Sequence, residues 1–159
     1  MEAPHSASEF RKSFRSQNLS EKNTILIVDD DEQVRRSMEL LFRRSPYEVC
    51  TFESARGLLN HPVDGSVACI IADLLMPEMN GIELRRELAR RQIEIPFVLM
   101  TGNTDDPAAK THPGSKIWMI EKPFRFAQLM ETIDQAIQGS SSTYQHASKQ
   151  TEQEAKYAS

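Results

Sequence analysis

The chain has 159 residues, with 19 Lys and Arg against 23 Asp and Glu and a formal net charge of −4. That length suits one domain of ordinary size, and the acidic balance offers no basic stripe for nucleic acid. No apolar run approaches the ~18 residues of a membrane span. Glu2 and Glu9 near the start, with no apolar segment, argue against a signal peptide, so a soluble, cytoplasmic protein is expected.

Residues 1–22, rich in Ser, Arg and Glu and without periodicity, are expected to form a disordered tail. Thr24–Val28 reads as the first strand, followed by a helix with Val34, Met38 and Leu41 on one face. Tyr47–Phe52 has the mixed polarity of an edge strand. Ser54 caps a short helix carrying Leu58 and Leu59, which stops before Pro62. Val67–Ala72 is a third strand. Gly81–Arg91 is a third helix, with Leu84 and Leu88 inward and Arg85, Arg86, Arg90 and Arg91 on a solvated face. Strands over Pro96–Met100 and Lys116–Ile120 come next. Between them Asp105-Asp106-Pro107 opens a fourth helix that Pro113-Gly114 ends early, leaving it shortened. The last helix carries Leu129, Ile133 and Ile137. A flexible polar tail over 139–159 leaves a patterned domain over 23–138. Cys50 and Cys69 fall in strands and read as small hydrophobes rather than a disulfide. Short continuous apolar runs alternating with helices predict an α/β fold, a doubly wound parallel sheet with right-handed crossovers.

Polar residues stand where these runs end. Ile25–Val28 precedes Asp29-Asp30, Cys69–Ala72 precedes Asp73, Phe97–Met100 precedes Thr101, and Ile117–Ile120 nearly reaches Lys122. Ligands bind beyond the carboxyl ends of parallel strands, so these carboxylates, hydroxyl and ammonium are expected to share one crevice. Adjacent aspartates repel, and a divalent cation is their usual compensation. All-oxygen donors suit Mg2+, with Asp29, Asp30 and Asp73 supplying the site. Lys122 adds nothing to metal binding but suits an entering anion, for which a phosphoryl group is the obvious candidate. Metal, Lys122 and the Thr101 hydroxyl then divide the phosphoryl oxygens, and a carboxylate nucleophile gives an aspartyl phosphate. Singly, Asp73 and Thr101-Gly102 could merely begin turns and Lys122-Pro123 a helix; their coincidence at four strand ends is what argues for chemistry. His5, His61, His112 and His146 show no ligand spacing.

The stretches ILIVDDDEQVRRSM, DLLMPEMNGIEL, VLMTGN and IEKPF, in that order, resemble the receiver domains of two-component response regulators, with the CheY-like fold. The resemblance covers Asn23 to Gln138. TFESARGLL and TGNTDDP are most similar to receivers that precede LuxR-type DNA-binding domains, although no helix-turn-helix pattern follows Gly139. It implies a five-stranded sheet of order 2-1-3-4-5 with helices on both faces. It also implies Asp73 as phosphoacceptor, Asp30 as a direct Mg2+ ligand, Asp29 acting through water, and the Leu75 backbone carbonyl completing the metal site. Thr101 becomes the switch hydroxyl, Lys122 the phosphoryl partner, and the Lys122-Pro123 bond is expected to be cis. Met119 occupies the second switch position, where the family usually has Tyr or Phe. The adjacent Trp118 points to the opposite face.

The function so implied is a single-domain response regulator, a phosphoprotein of a two-component system or phosphorelay. It takes a phosphoryl group from a sensor histidine kinase or phosphotransfer protein and signals to a downstream protein target or by onward transfer. It catalyses only its own phosphorylation and dephosphorylation, needs no cofactor beyond Mg2+, and contacts neither nucleic acid nor membrane. Leu75 and Asn103 are expected to influence phosphate lifetime. Two alternatives stay open: a phosphorylation-independent receiver serving as a constitutive interaction module, and a small haloacid-dehalogenase-like phosphatase with Asp29 as nucleophile and Asp31 as acid. The chain is short for the second, and Gln33 stands where that family favours Thr or Val.

Overall fold

The computed structural model describes residues 23–102 and 117–140. Five strands, β1 (Thr24–Val28), β2 (Glu48–Phe52), β3 (Val67–Asp73), β4 (Phe97–Thr101) and β5 (Trp118–Glu121), are joined by α1 (Glu32–Phe42), α2 (Ala55–Leu59) and α3 (Gly81–Arg90). A final helix covers residues 126–140. All strand pairs are parallel, in the order β2-β1-β3-β4-β5. The expected doubly wound sheet is therefore present. The shortened fourth helix and both tails beyond residue 140 and before residue 23 lie outside the described residues.

Successive residues of a strand point to opposite faces, and here both faces are covered. Leu26, Val28, Ile70, Ala72 and Leu99 pack on Leu58 of α2 and Ile82, Leu84 and Leu88 of α3. Ile25, Ile27, Cys69, Ile71, Val98 and Met100 pack on Met38 and Phe42 of α1 and on Leu129, Ile133 and Ala136 of the final helix. Ile25–Val28 and Cys69–Ala72 are completely buried, which is why these runs are continuously apolar rather than alternating. Cys50 and Cys69 are free and lie on opposite faces; burial pushes the Cys69 thiol up to about 12.

Helix starts follow from capping side chains. Asp31 accepts the Gln33 N–H at 2.8 Å, and Ser54 accepts that of Gly57 at 3.1 Å. Asn80 and Glu83 form a reciprocal box with both bonds at 2.8 Å, each cap contributing about 1 kcal/mol. The final helix passes the expected domain edge and runs through Gly139, where a Cβ would collide with the Trp118 ring.

Three sequence expectations need correction. Leu41 is exposed, and its neighbour Phe42 is buried instead. The Phe42 ring stands edge-on to Phe126 at 5.1 Å, filling the gap between α1 and the final helix. Arg85 is not on the solvated face: it shares the sheet-facing stripe of Gly81, Leu84 and Leu88 and is buried. Its Nη2 reaches the Glu94 carboxylate at 3.6 Å, while Nε and Nη1 are buried without a hydrogen-bond partner among the described residues. β3 and β4 each extend one residue further than expected, taking in Asp73 and Thr101, whereas β5 begins only at Trp118.

Candidate functional site

β1, β3, β4 and β5 end side by side and deliver Asp29 and Asp30, Asp73, Thr101 and Lys122 to the same edge. Pairing of Val28 with Ala72 brings Asp29 beside Asp73. Asp73 in turn pairs with Met100, and Thr101 with Glu121. The Lys122 N–H donates to the Thr101 carbonyl at 2.7 Å, holding the start of the next loop against β4. The Lys122-Pro123 bond is cis, as expected.

Lys122 Nζ reaches back across this edge to Asp73 Oδ2 at 3.0 Å and Asp29 Oδ2 at 3.2 Å. Asp29, Asp30 and Asp73 each present an oxygen, all within 4.8 Å of one another. Three carboxylates and one ammonium leave two negative charges uncompensated. With no thiolate or imidazole among the donors, the group suits a hard divalent cation such as Mg2+, which takes carboxylate oxygens and keeps several waters. The residues present therefore fit such an ion.

Asp29 is completely buried. Burial pushes its carboxyl above the usual carboxylate range, against the downward pull of the Asp31 N–H and the Lys122 ammonium. Burial also pulls Lys122 down, but hydrogen bonds and charge from Asp73 and Asp29 outweigh it, and its ammonium is held above the usual lysine value. The raised Asp29 means that its neutral form is favoured by folding. The resulting stability is present below the unfolded carboxylate pKa and is lost as pH rises through the folded one. Asp29→Asn should therefore unfold at a higher temperature than wild type in metal-free neutral buffer. The gain should vanish as pH falls below the raised Asp29 value, which thermal melts across that range will check.

The loop after β3 is pinned to its neighbours. Leu74 N–H donates to the Met100 carbonyl at 2.8 Å, and Gly81 N–H to the Leu74 carbonyl at 3.1 Å. Leu75 N–H donates to Asp73 Oδ1 at 3.2 Å, and the Leu75 side chain is exposed. Glu78 sits at φ 66°, the left-handed region that costs side chains such as Glu about 1 kcal/mol or more. Among the described residues its ion-pair partner is Arg56 at 3.8 Å, both side chains well exposed, and such pairs contribute little. Glu78→Asn should raise stability by about 0.5 kcal/mol, read from the urea midpoint.

A family model for the response regulator receiver domain matches residues 25–134. The chain belongs to that family. The receiver is 34% identical over 115 residues to Nodulation protein W of Bradyrhizobium diazoefficiens, covering 72% of this chain and 51% of that protein. It is 35% identical over 114 residues to Transcriptional regulatory protein FixJ of Rhizobium meliloti, covering 71% and 56%. A low-resolution structure of the response regulator StyR overlays with a TM-score of 0.67 at 31% identity, covering 87% of this chain and 70% of that one. The chain spans about half the length of the curated relatives it matches. Proteins of this family act in two-component signal transduction as signalling proteins rather than conventional enzymes.

Asp31 caps α1, and the family match is to receivers rather than to haloacid-dehalogenase-like phosphatases. Thr101 is buried. Met119 pairs with Leu99, two residues before Thr101, and so shares that face of the sheet; it is partly exposed. Trp118 packs on the opposite side, against the α1 cluster, and does not take the place of an aromatic at 119. One contact escaped the sequence reading altogether: Arg35 Nη1 donates to the Asp29 carbonyl at 2.6 Å. Its only sequence signal is an arginine four residues after the α1 cap. No helix among the described residues is long and apolar enough to cross a membrane.

Proposed function

We propose that Asp73 is the phosphoacceptor of this receiver, taking a phosphoryl group from the phosphohistidine of a sensor histidine kinase or phosphotransfer protein. The observation that carries this is the position of the Asp73 carboxylate at the carboxyl edge of the sheet, 3.0 Å from the Lys122 ammonium and grouped with Asp29 and Asp30. An Asp73 oxygen attacks phosphorus, the P–N bond to the donor imidazole breaks, and the imidazole, already protonated on its other ring nitrogen, leaves neutral with the bonding pair. Asp29, Asp30, Asp73 and the Leu75 carbonyl would hold Mg2+, Asp29 acting largely through water. When bound, the ion supplies positive charge where the phosphoryl oxygens gather. Lys122 then exchanges its Asp73 bond for a phosphoryl oxygen, and the Thr101 hydroxyl donates to another.

Moving the Thr101 hydroxyl toward the phosphoryl group opens space on the face it shares with Met119, and a flexible Met can follow. The changed face is read by a partner protein or relieved by onward transfer. Incubation with a panel of histidine kinases autophosphorylated with labelled ATP tests the assignment. At least one kinase should pass its label to wild type within the dead time of manual mixing and to Asp73→Asn not at all. Label on Asp73→Asn, or on a control receiver but never on this one, would contradict it.

A further inference from the structure

We propose that Arg35 is the positioning residue that aims the Asp30 carboxylate into the metal site; the inference rests on the Mg2+-dependent reading of Asp73. Two of the three clustered carboxylates are held directly. Asp29 Oδ1 accepts the Asp31 N–H at 2.9 Å and its Oδ2 meets Lys122, while Asp73 accepts from Leu75 N–H and Lys122. Asp30 is exposed, and among the described residues its carboxylate has no hydrogen bond or ion pair. The backbone on either side therefore fixes the point and vector from which this side chain leaves the chain, and with them its reach to the ion.

Arg35 holds the one part of that backbone which neither β2 nor the Asp29 carboxylate reaches. The Asp29 N–H still reaches the Phe52 carbonyl at 3.1 Å, but its carbonyl lies just past the end of β1 in a residue with no solvent exposure. A buried carbonyl without a partner is costly, and Arg35 Nη1 supplies the partner at 2.6 Å. The backbone N–H of Arg35 donates to the Asp31 carbonyl at 3.1 Å, the first turn of α1. Arg35 thus holds residue 29 through its side chain and residue 31 through its main chain, with Asp30 between. The side-chain bond goes to a carbonyl and leaves all three carboxylates available to the ion.

Partners that orient ligands typically account for ~10- to 100-fold in metal affinity. Calorimetric Mg2+ titration of Arg35→Ala should show about tenfold weaker binding, with Arg35→Lys between it and wild type. Asp73 phosphorylation from acetyl phosphate should approach the wild-type rate once Mg2+ saturates. Because Arg35 acts through Asp30, adding Arg35→Ala to Asp30→Asn should weaken binding little further. Arg35→Met, which keeps the stem without the donor, carries the same comparison should Arg35→Ala not fold. Wild-type affinity in both variants, or an equal loss with and without the Asp30 carboxylate, would overturn the role of Arg35. A wild type that binds no Mg2+ would instead overturn the reading on which it rests.

Discussion

Replacing Lys122 with Met should slow phosphorylation of Asp73 from acetyl phosphate by about a hundredfold or more, the usual effect of removing one donor aimed at developing negative charge. The same change should destabilise the metal-free protein. Lys122 is the cation of a site with three carboxylates, one of them completely buried. Removing one partner of a buried pair leaves an uncompensated charge, and with the ammonium 30% exposed about 2 kcal/mol is expected at neutral pH. The sign with pH follows from the raised Lys122 value. Its contribution is present below the usual lysine pKa of 10.5 and is lost as pH rises through the higher folded value. The stability gap between wild type and Lys122→Met should therefore close at strongly alkaline pH. Added Mg2+ should also narrow it, since the ion neutralises the same carboxylates. Urea titrations with Mg2+ and with chelator, over a pH series, read both effects.

Gly81→Ala should cost about 2 kcal/mol and disturb the site at once. A Cβ on residue 81 would lie 2.6 Å from the Asp73 carbonyl oxygen and 2.5 Å from Leu99 Cδ1. The leucine can turn aside, but the carbonyl belongs to a strand paired on both sides. The better helix propensity of Ala offsets only part of that clash. Relief must come from α3 lifting away or from Asp73 shifting against Lys122. Either outcome lowers the urea midpoint, and the second also slows phosphorylation, so measuring both on one preparation separates them.

The sheet was legible because three apolar runs, those of β1, β3 and β4, are buried on both faces and need no alternation to be recognised. The site was legible for a related reason: chemistry in a parallel sheet gathers at carboxyl ends, so Asp29, Asp73, Thr101 and Lys122 could be located without knowing how the strands pair. What periodicity could not decide was the rotation of a helix by one position. Leu41 and Phe42 are adjacent apolar residues, and only the space beside Phe126 selects the ring. Arg85 shows the same blindness in charged form, since a charged residue between Leu84 and Leu88 reads as outward although its side chain is buried with one nitrogen turned to Glu94. Arg35 was invisible because its bond goes to a backbone carbonyl, which leaves no complementary side chain to search for. The left-handed Glu78 was hidden too: nothing in Pro77-Glu78-Met79 marks the positive φ that a Gly or Asn would have announced.

The proposed phosphorylation of Asp73 needs a divalent cation, and both parts can be read from one mass. Purified protein incubated with acetyl phosphate and MgCl2, quenched rapidly and weighed intact, should gain ~80 Da, the mass of one phosphoryl group. The gain should disappear with chelator and in Asp73→Asn. A wild type whose mass never changes, or an Asp73→Asn protein that gains the same increment, would rule out Asp73 as the phosphoacceptor.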